Sequence, residues 1–363
     1  MAVVMNVARS LERAAALRAA PTRHFMAPPV CLQGTEDLRR EGLDGTPQRL
    51  EPNPLDGGGL LVGTNGSVAV QEGDGMKTTL ITGCGSGIGL ATALELARRG
   101  HKVFATMLDP RETPELGAIA ERERLPIEIR ELDVRSDASV HACFEGIREP
   151  IDVLVNNAGV PGRPGSIEEL PIQIFSSVME TNYLGAVRCM KAVLPRMRQA
   201  KAGRIVNVSS VTFRIPCSPL GAYVASKFAL EAISEALAGE VKALNIRVAI
   251  VEPGIRNTRL AWSATEPIPS LYPQGLRWAR FFRAALAAPV GPEATATLIR
   301  SIIESDTWQL RHPCGPDAAA LIAWRSTLSD EQWIDWSAQD DDSWYRQVKS
   351  DFGMDLRPEE PGA

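Results

Sequence analysis

The chain has 363 residues, 44% of them hydrophobic and 23% charged, with 39 Lys+Arg against 44 Asp+Glu and a net charge of −5. That length suits one large domain or two, and the composition is that of an ordinary globular protein whose core needs no staples. The acidic balance speaks against nucleic acid or an anionic membrane surface as main partner; six scattered cysteines and four scattered histidines offer no metal-ligand spacing; no apolar run approaches the ~20 residues of a membrane helix.

Residues 1–75 contain no lysine, include Gly57-Gly58-Gly59, and show weak hydrophobic periodicity after about residue 20. This predicts a disordered N-terminal extension. The alternatives are a transit peptide, suggested by the arginines before Phe25 and the single Glu12, and an upstream stretch preceding a natural start at Met76.

From Met76 the pattern changes. Strand-length apolar runs fall at 78–82, 102–106, 127–132, 153–156, 204–208, 247–251 and, more weakly, 309–312. Helical patterns lie between them at 88–99, 136–147, 171–198, 219–244 and 292–303. Such alternation predicts an α/β fold of right-handed βαβ units: a mostly parallel seven-stranded sheet with helices on both faces. All seven tryptophans follow Arg259. A tail helix or two docking on the sheet explains them as packing residues.

The first strand runs into Thr82-Gly83-Cys84-Gly85-Ser86-Gly87-Ile88-Gly89 and then a helix. Glycines let backbone turn tightly against a pyrophosphate, and a helix N-terminus adds free N–H groups and a positive dipole end. Further motifs follow in order: Asn156-Asn157-Ala158-Gly159, Thr181-Asn182-Tyr183, Ser209-Ser210, Tyr223-Val224-Ala225-Ser226-Lys227, and Pro253-Gly254-Ile255 with Thr258. The i, i+4 spacing puts Tyr223 and Lys227 on one helix face, where an ammonium would lower the tyrosine pKa toward neutrality. Tyr345 and Lys349 share that spacing, but Gln332 stands where Ser210 stands for the first pair. The second pair reads as a surface coincidence.

These motifs, over about residues 76–260, resemble the short-chain dehydrogenase/reductase family, and within it the hydroxysteroid and retinol dehydrogenases. The resemblance implies a Rossmann-type, doubly wound domain over 76–363, with a substrate lid at about 259–290 and a Trp-rich tail at about 310–363. It implies an enzyme using NAD or NADP to interconvert an alcohol and a ketone or aldehyde. Tyr223 would be the general acid/base, Lys227 would tune it and bind the nicotinamide ribose, Ser210 would hold the reacting oxygen, and Asn182 would hold a water. The cofactor would lie against Gly83, Ser86, Gly87, Ile88 and Gly89, then Asp133 and Val134 at the adenine. Asn156, Ala158 and Gly159 would line the cleft, and Pro253, Gly254, Ile255 and Thr258 the nicotinamide end. Simpler readings stand beside these. Ser210 and Thr258 suit turns or caps, Asp133 an Asx turn, Asn182 a solvent-facing site or kink, and Asn156 a sheet-stabilising side chain.

Cofactor preference stays open. An acid at the end of the second strand would bind the ribose of NAD, a basic residue the 2′-phosphate of NADP. Those positions hold Met107 and Leu108, followed by the opposed charges Asp109 and Arg111. The missing acid leans slightly to NADP. Trp262, Tyr272, Trp278, Phe281 and Phe282 in the lid suit an apolar small-molecule alcohol or ketone, or ordinary packing. A cytoplasmic location and a homodimer or homotetramer through the long helices are expected. A catalytically silent nucleotide sensor or scaffold is the alternative function; the intact Asn182, Ser210, Tyr223, Lys227 set argues against it.

Overall fold

Short runs of Val, Ile, Leu and Ala, buried on both faces, build the centre of the structure, as a parallel sheet covered by helices requires. The computed structural model describes residues 75–287 and 290–358. The expectations for residues 1–74 lie outside the described residues. The strands are β1 (Thr78–Ile81), β2 (Lys102–Met107), β3 (Ile127–Glu131), β4 (Val153–Asn156), β5 (Gly203–Val208), β6 (Ile246–Pro253) and β7 (Arg311–Cys314). They pair in the order β3-β2-β1-β4-β5-β6-β7, every neighbour parallel. The sheet is therefore wholly parallel, where a mostly parallel one was expected. Strand order reverses between β1 and β4, and ligands bind at such a switch point.

Successive side chains on a strand face opposite sides, which splits the core in two. Leu80, Phe104, Leu154 and Ile205 pack against Val140, Phe144, Val193 and Met197. Ile81, Val103, Val155 and Val206 pack on the other face against Ala93, Leu96, Ile299 and Ile302. These partners come from α1 (Gly87–Arg98), α3 (Asp137–Glu145), α5 (Gly185–Ala200) and α9 (Glu293–Glu304). A short α2 (Glu115–Glu123) was not anticipated; only Leu116 on it is fully buried, so its apolar signal is faint.

The helix expected over 171–198 is broken. It consists of α4 (Ile172–Met179), a wide π turn over Glu180–Leu184, and α5. α6 (Gly221–Val241) carries the Tyr-x3-Lys motif. The last strand lies two residues later than expected. After β6 come α7 (Arg259–Ser263) and α8 (Gln274–Leu286), within the region expected as a lid.

The tail holds three helices rather than one or two: α10 (Ala318–Ser326), α11 (Asp330–Ala338) and α12 (Asp341–Phe352). Ser329 and Gln332 close a capping box at α11, and Asp340 caps α12. Trp324, Trp333, Trp336, Trp344 and Phe352 form one aromatic cluster, with Trp333 and Trp336 stacked at 5.4 Å. Tyr345 corrects a second expectation. It is 4% exposed inside this cluster and its hydroxyl accepts from Arg280 Nη1 at 2.8 Å, whereas Lys349 is exposed and pairs with Asp355. A folded tail buries the position that its spacing alone left at the surface. Among the described residues, no helix is long and apolar enough to cross a membrane.

Candidate active site

A cavity of about 410 Å³ opens beyond the carboxyl ends of the strands. One end is the glycine loop. Gly83 has φ +74°, and a Cβ there would sit 2.8 Å from Ala158 Cα, so both the turn and the close approach require glycine. Ser86 precedes α1 without a side-chain cap, so the first helical N–H groups have no side-chain acceptor there, and this helix start lines the cavity. Gly83, Ser86, Gly87 and Ile88 line the cavity. Gly89 does not; a Cβ there would meet Gly83 O at 2.2 Å and Asn157 Nδ2 at 2.5 Å. Its contribution is close helix–loop packing.

The two asparagines of Asn156-Asn157 divide the expected role. Asn156 is buried under the sheet and its Nδ2 donates to Asn207 Oδ1 at 2.8 Å; it lies off the cavity wall. The sheet-stabilising reading describes it, and cleft lining does not. Asn157, not anticipated, is on the wall. Its Nδ2 donates to Thr82 O (2.9 Å) and Gly83 O (3.0 Å), while Thr82 Oγ1 accepts from Asn157 N and Ala158 N. It fastens the glycine loop to β4. The strand pleat offered the signal: successive residues must face differently.

Asp133 and Val134 line the middle of the cleft. The Asp133 carboxylate accepts from Arg135 N, Nε and Nη2 at 2.8–2.9 Å, an Asx-type turn that holds it below the usual carboxylate range. The cap of α3 is Ser136, so Asp133 is not the helix cap. Met107 and Leu108 also line the cleft. Asp109 and Arg111 lie off the wall and bind each other through three hydrogen bonds at 2.8–2.9 Å. That pairing holds the Asp109 carboxyl down at about 2.

Ser210, Tyr223 and Lys227 converge on one stretch of wall. Ser210 lies two residues past β5 and its hydroxyl accepts from Thr212 N at 3.3 Å, so it caps the short turn Val211–Phe213. α6 presents Tyr223 and Lys227 together, with Lys227 Nζ 5.6 Å from the Tyr223 ring centre and donating to Val208 O at 2.8 Å. The tyrosine differs from its expected state. Burial pushes the phenol up to about 12, with the Ser210 hydrogen bond opposing, and pulls Lys227 down to about 8. One buried ammonium at this range does not offset the water lost around a phenolate.

Asn182 is 1% exposed and off the wall. Its Oδ1 accepts from Val160 N at 2.8 Å; its Nδ2 donates to Val160 O at 2.9 Å and Ser226 Oγ at 3.0 Å. The π turn that carries it is the local kink, and π turns recur at functional sites. Its bonds tie the chain after Gly159 to α6.

Pro253, Gly254, Ile255 and Thr258 line the cavity, and Thr258 also caps α7. Beyond them the wall is apolar: Ile215, Leu220, Ala264, Trp278, Phe281 and Phe282, then Leu321, Trp324 and Phe352. The last three come from the tail and were not anticipated. Trp262 and Tyr272, expected in the lid wall, are off it and 45% and 43% exposed.

The family model described as short chain dehydrogenase matches residues 77–268. Retinol dehydrogenase 8 of Homo sapiens is 44% identical over 183 residues, covering 49% of this chain and 58% of that protein. Uncharacterized oxidoreductase YusZ of Bacillus subtilis is 30% identical over 269 residues, covering 71% of this chain and 95% of that protein. A crystal structure of a short-chain dehydrogenase from Streptomyces avermitilis superposes with a TM-score of 0.62 at 28% identity, covering 72% of this chain and 97% of that one. The matches to the human and bovine retinol dehydrogenases span 58% and 59% of those proteins' length.

Proposed function

This chain belongs to the short chain dehydrogenase family, and from that premise we propose that it is an NAD(P)-dependent oxidoreductase interconverting an apolar alcohol and its ketone or aldehyde. The observation that carries this reading is the convergence of Ser210, Tyr223 and Lys227 between a glycine-loop cleft and an aromatic, apolar end of the same cavity. The residues present suit a dinucleotide. The close backbone at Gly83, the uncapped start of α1 and the apolar side chains of Leu132 and Val134 on the wall suit the pyrophosphate and adenine. The nicotinamide supplies the hydride chemistry; the chain orients and polarises.

In the reductive direction the Tyr223 hydroxyl, held protonated by burial, donates to the carbonyl oxygen. In oxidation it takes that proton back. Ser210 hydrogen-bonds the same oxygen, and the Lys227 ammonium stabilises the phenolate as it forms. Asn182 holds Val160 and Ser226, and so fixes the wall opposite α6. The apolar end sorts substrates by exclusion of water and fit against Trp278, Phe281 and Trp324.

Tyr223→Phe tests this. Turnover of secondary alcohols and ketones falls by about 10³-fold or more, while cofactor binding, read by NAD(P)H fluorescence, stays near wild type. Full activity in the variant removes the mechanism. Cofactor binding by the wild type without turnover of any alcohol or ketone favours the silent sensor or scaffold. Since Asp109 and Arg111 neutralise each other off the wall, NAD and NADP differ by less than about tenfold in kcat/KM, the slight lean being to NADP. A preference far above tenfold for either contradicts that account.

A further inference from the structure

Behind Lys227 lies a buried cluster that the mechanism above does not use. One turn further along α6, Glu231 is 4% exposed; Glu252, on β6, is 1% exposed. Both carboxylates reach toward the same nitrogen on β7. Arg311 Nε is 3.3 Å from Glu231 Oε2 and 3.6 Å from Glu252 Oε1. Neither approach is aligned as a hydrogen bond. The aligned bond of Arg311 runs outward instead, from Nη2 to the exposed Glu235 at 3.0 Å.

The other charged groups around the pair are Lys227 on the same helix and the exposed Arg214 after the turn that follows β5. His312 on β7 directs its ring to Gln309 O. Two carboxylates out of water, sharing one misaligned guanidinium, disfavour each other's ionisation. Such a pair titrates as a unit.

We propose that Glu231 and Glu252 hold one proton between them near neutral pH, and that the ionised member keeps Lys227 in its ammonium form. The pair are positioning residues for the Tyr223–Lys227 centre, and the inference rests on that centre's proposed role. Burial and the neighbouring Glu231 push Glu252 up to about 7, and burial raises Glu231 also. Glu231, at i+4 from Lys227, opposes the burial that draws the lysine down. The proton resides mainly on Glu252, leaving the charge beside the lysine.

The test uses the full chain without substrate. Infrared titration in D2O reads the protonated-carboxyl stretch at about pH 6, where an ordinary glutamate is ionised. Wild type retains that band, Glu252→Gln loses it, and Glu231→Gln moves its disappearance to lower pH. Absence of the band from wild type, or its persistence in Glu252→Gln, overturns the shared proton. In parallel, NMR of lysine labelled with ¹³C at Cε, with Lys227 assigned through Lys227→Met, follows the ammonium. Glu231→Gln lowers its titration by about one pH unit; an unmoved titration overturns the positioning role. Should Glu231→Gln fail to fold, Glu231→Asp, which retains the charge at a changed distance, supplies the same comparison with a smaller downward shift. Both readouts are independent of turnover. A chain that passes them and converts no alcohol or ketone refutes the proposed activity and leaves the carboxyl pair standing.

Discussion

Asp317→Ala is the perturbation whose cost the structure defines best. The carboxylate precedes α10 and fastens the loop after β6. Its Oδ2 accepts from Ile255 N at 2.7 Å, and its Oδ1 from Arg256 Nη1 and Nη2 at 3.1 and 3.2 Å. Arg256 is 3% exposed, and among the described residues its other hydrogen bonds go to the carbonyls of Ile255 and Cys314. Removing the acid leaves a buried guanidinium without its counter-charge. Breaking a buried pair in this way costs about 3–5 kcal/mol. For a chain of this size that is a fall in Tm on the order of 10 °C.

Urea unfolding followed by tryptophan fluorescence measures the loss. Asp317→Asn keeps an acceptor for Ile255 N and loses less. Arg256→Met combined with Asp317→Ala removes both charges and recovers most of the loss, because the penalty lies in the stranded charge. A cost below about 1 kcal/mol for Asp317→Ala, or a double variant no better than the single one, refutes the reasoning. The tether also joins the tail to the loop lining the cavity, so Asp317→Ala weakens cofactor binding as well.

Two further outcomes follow from the same geometry. Trp324→Ala opens the apolar end, costs about 3–5 kcal/mol in unfolding free energy and shifts preference toward bulkier substrates; unchanged stability and selectivity would place Trp324 outside the wall. Glu252 has its folded pKa raised to about 7 from an ordinary 4.5, so its stabilising contribution is complete below about 4.5 and is lost as pH rises through about 7. Wild type therefore loses about 3 kcal/mol relative to Glu252→Gln between those values; parallel stability–pH curves for the two proteins would contradict it.

Much of the sheet was legible because its signals are local. Apolar runs alternating with 3.6-residue patterns located all seven strands and, α2 apart, the helices that cover them, and a glycine-rich turn after the first strand is a short, contiguous motif. The spacing of Ser210, Tyr223 and Lys227 likewise needs only a strand end and one helix face. What stayed hidden depends on which distant groups meet. Asn156 and Asn157 are adjacent in sequence, yet the pleat sends one under the sheet to Asn207 and the other to the glycine loop. Tail residues Leu321, Trp324 and Phe352 reach the cavity only once the three tail helices dock.

The sequence by itself determined the order of strands and helices, the glycine loop and the Ser–Tyr–Lys constellation, since each is written in residues close along the chain. Tertiary structure alone decided the protonation of that constellation. Tyr223 carries the residue type and spacing for proton transfer in any context, but its pKa answers to lost water and to Ser210. The state of Glu252 answers to Glu231 and Arg311, which three separate elements bring together. Solvation and charge separation are properties of the packed site, and no local pattern encodes them.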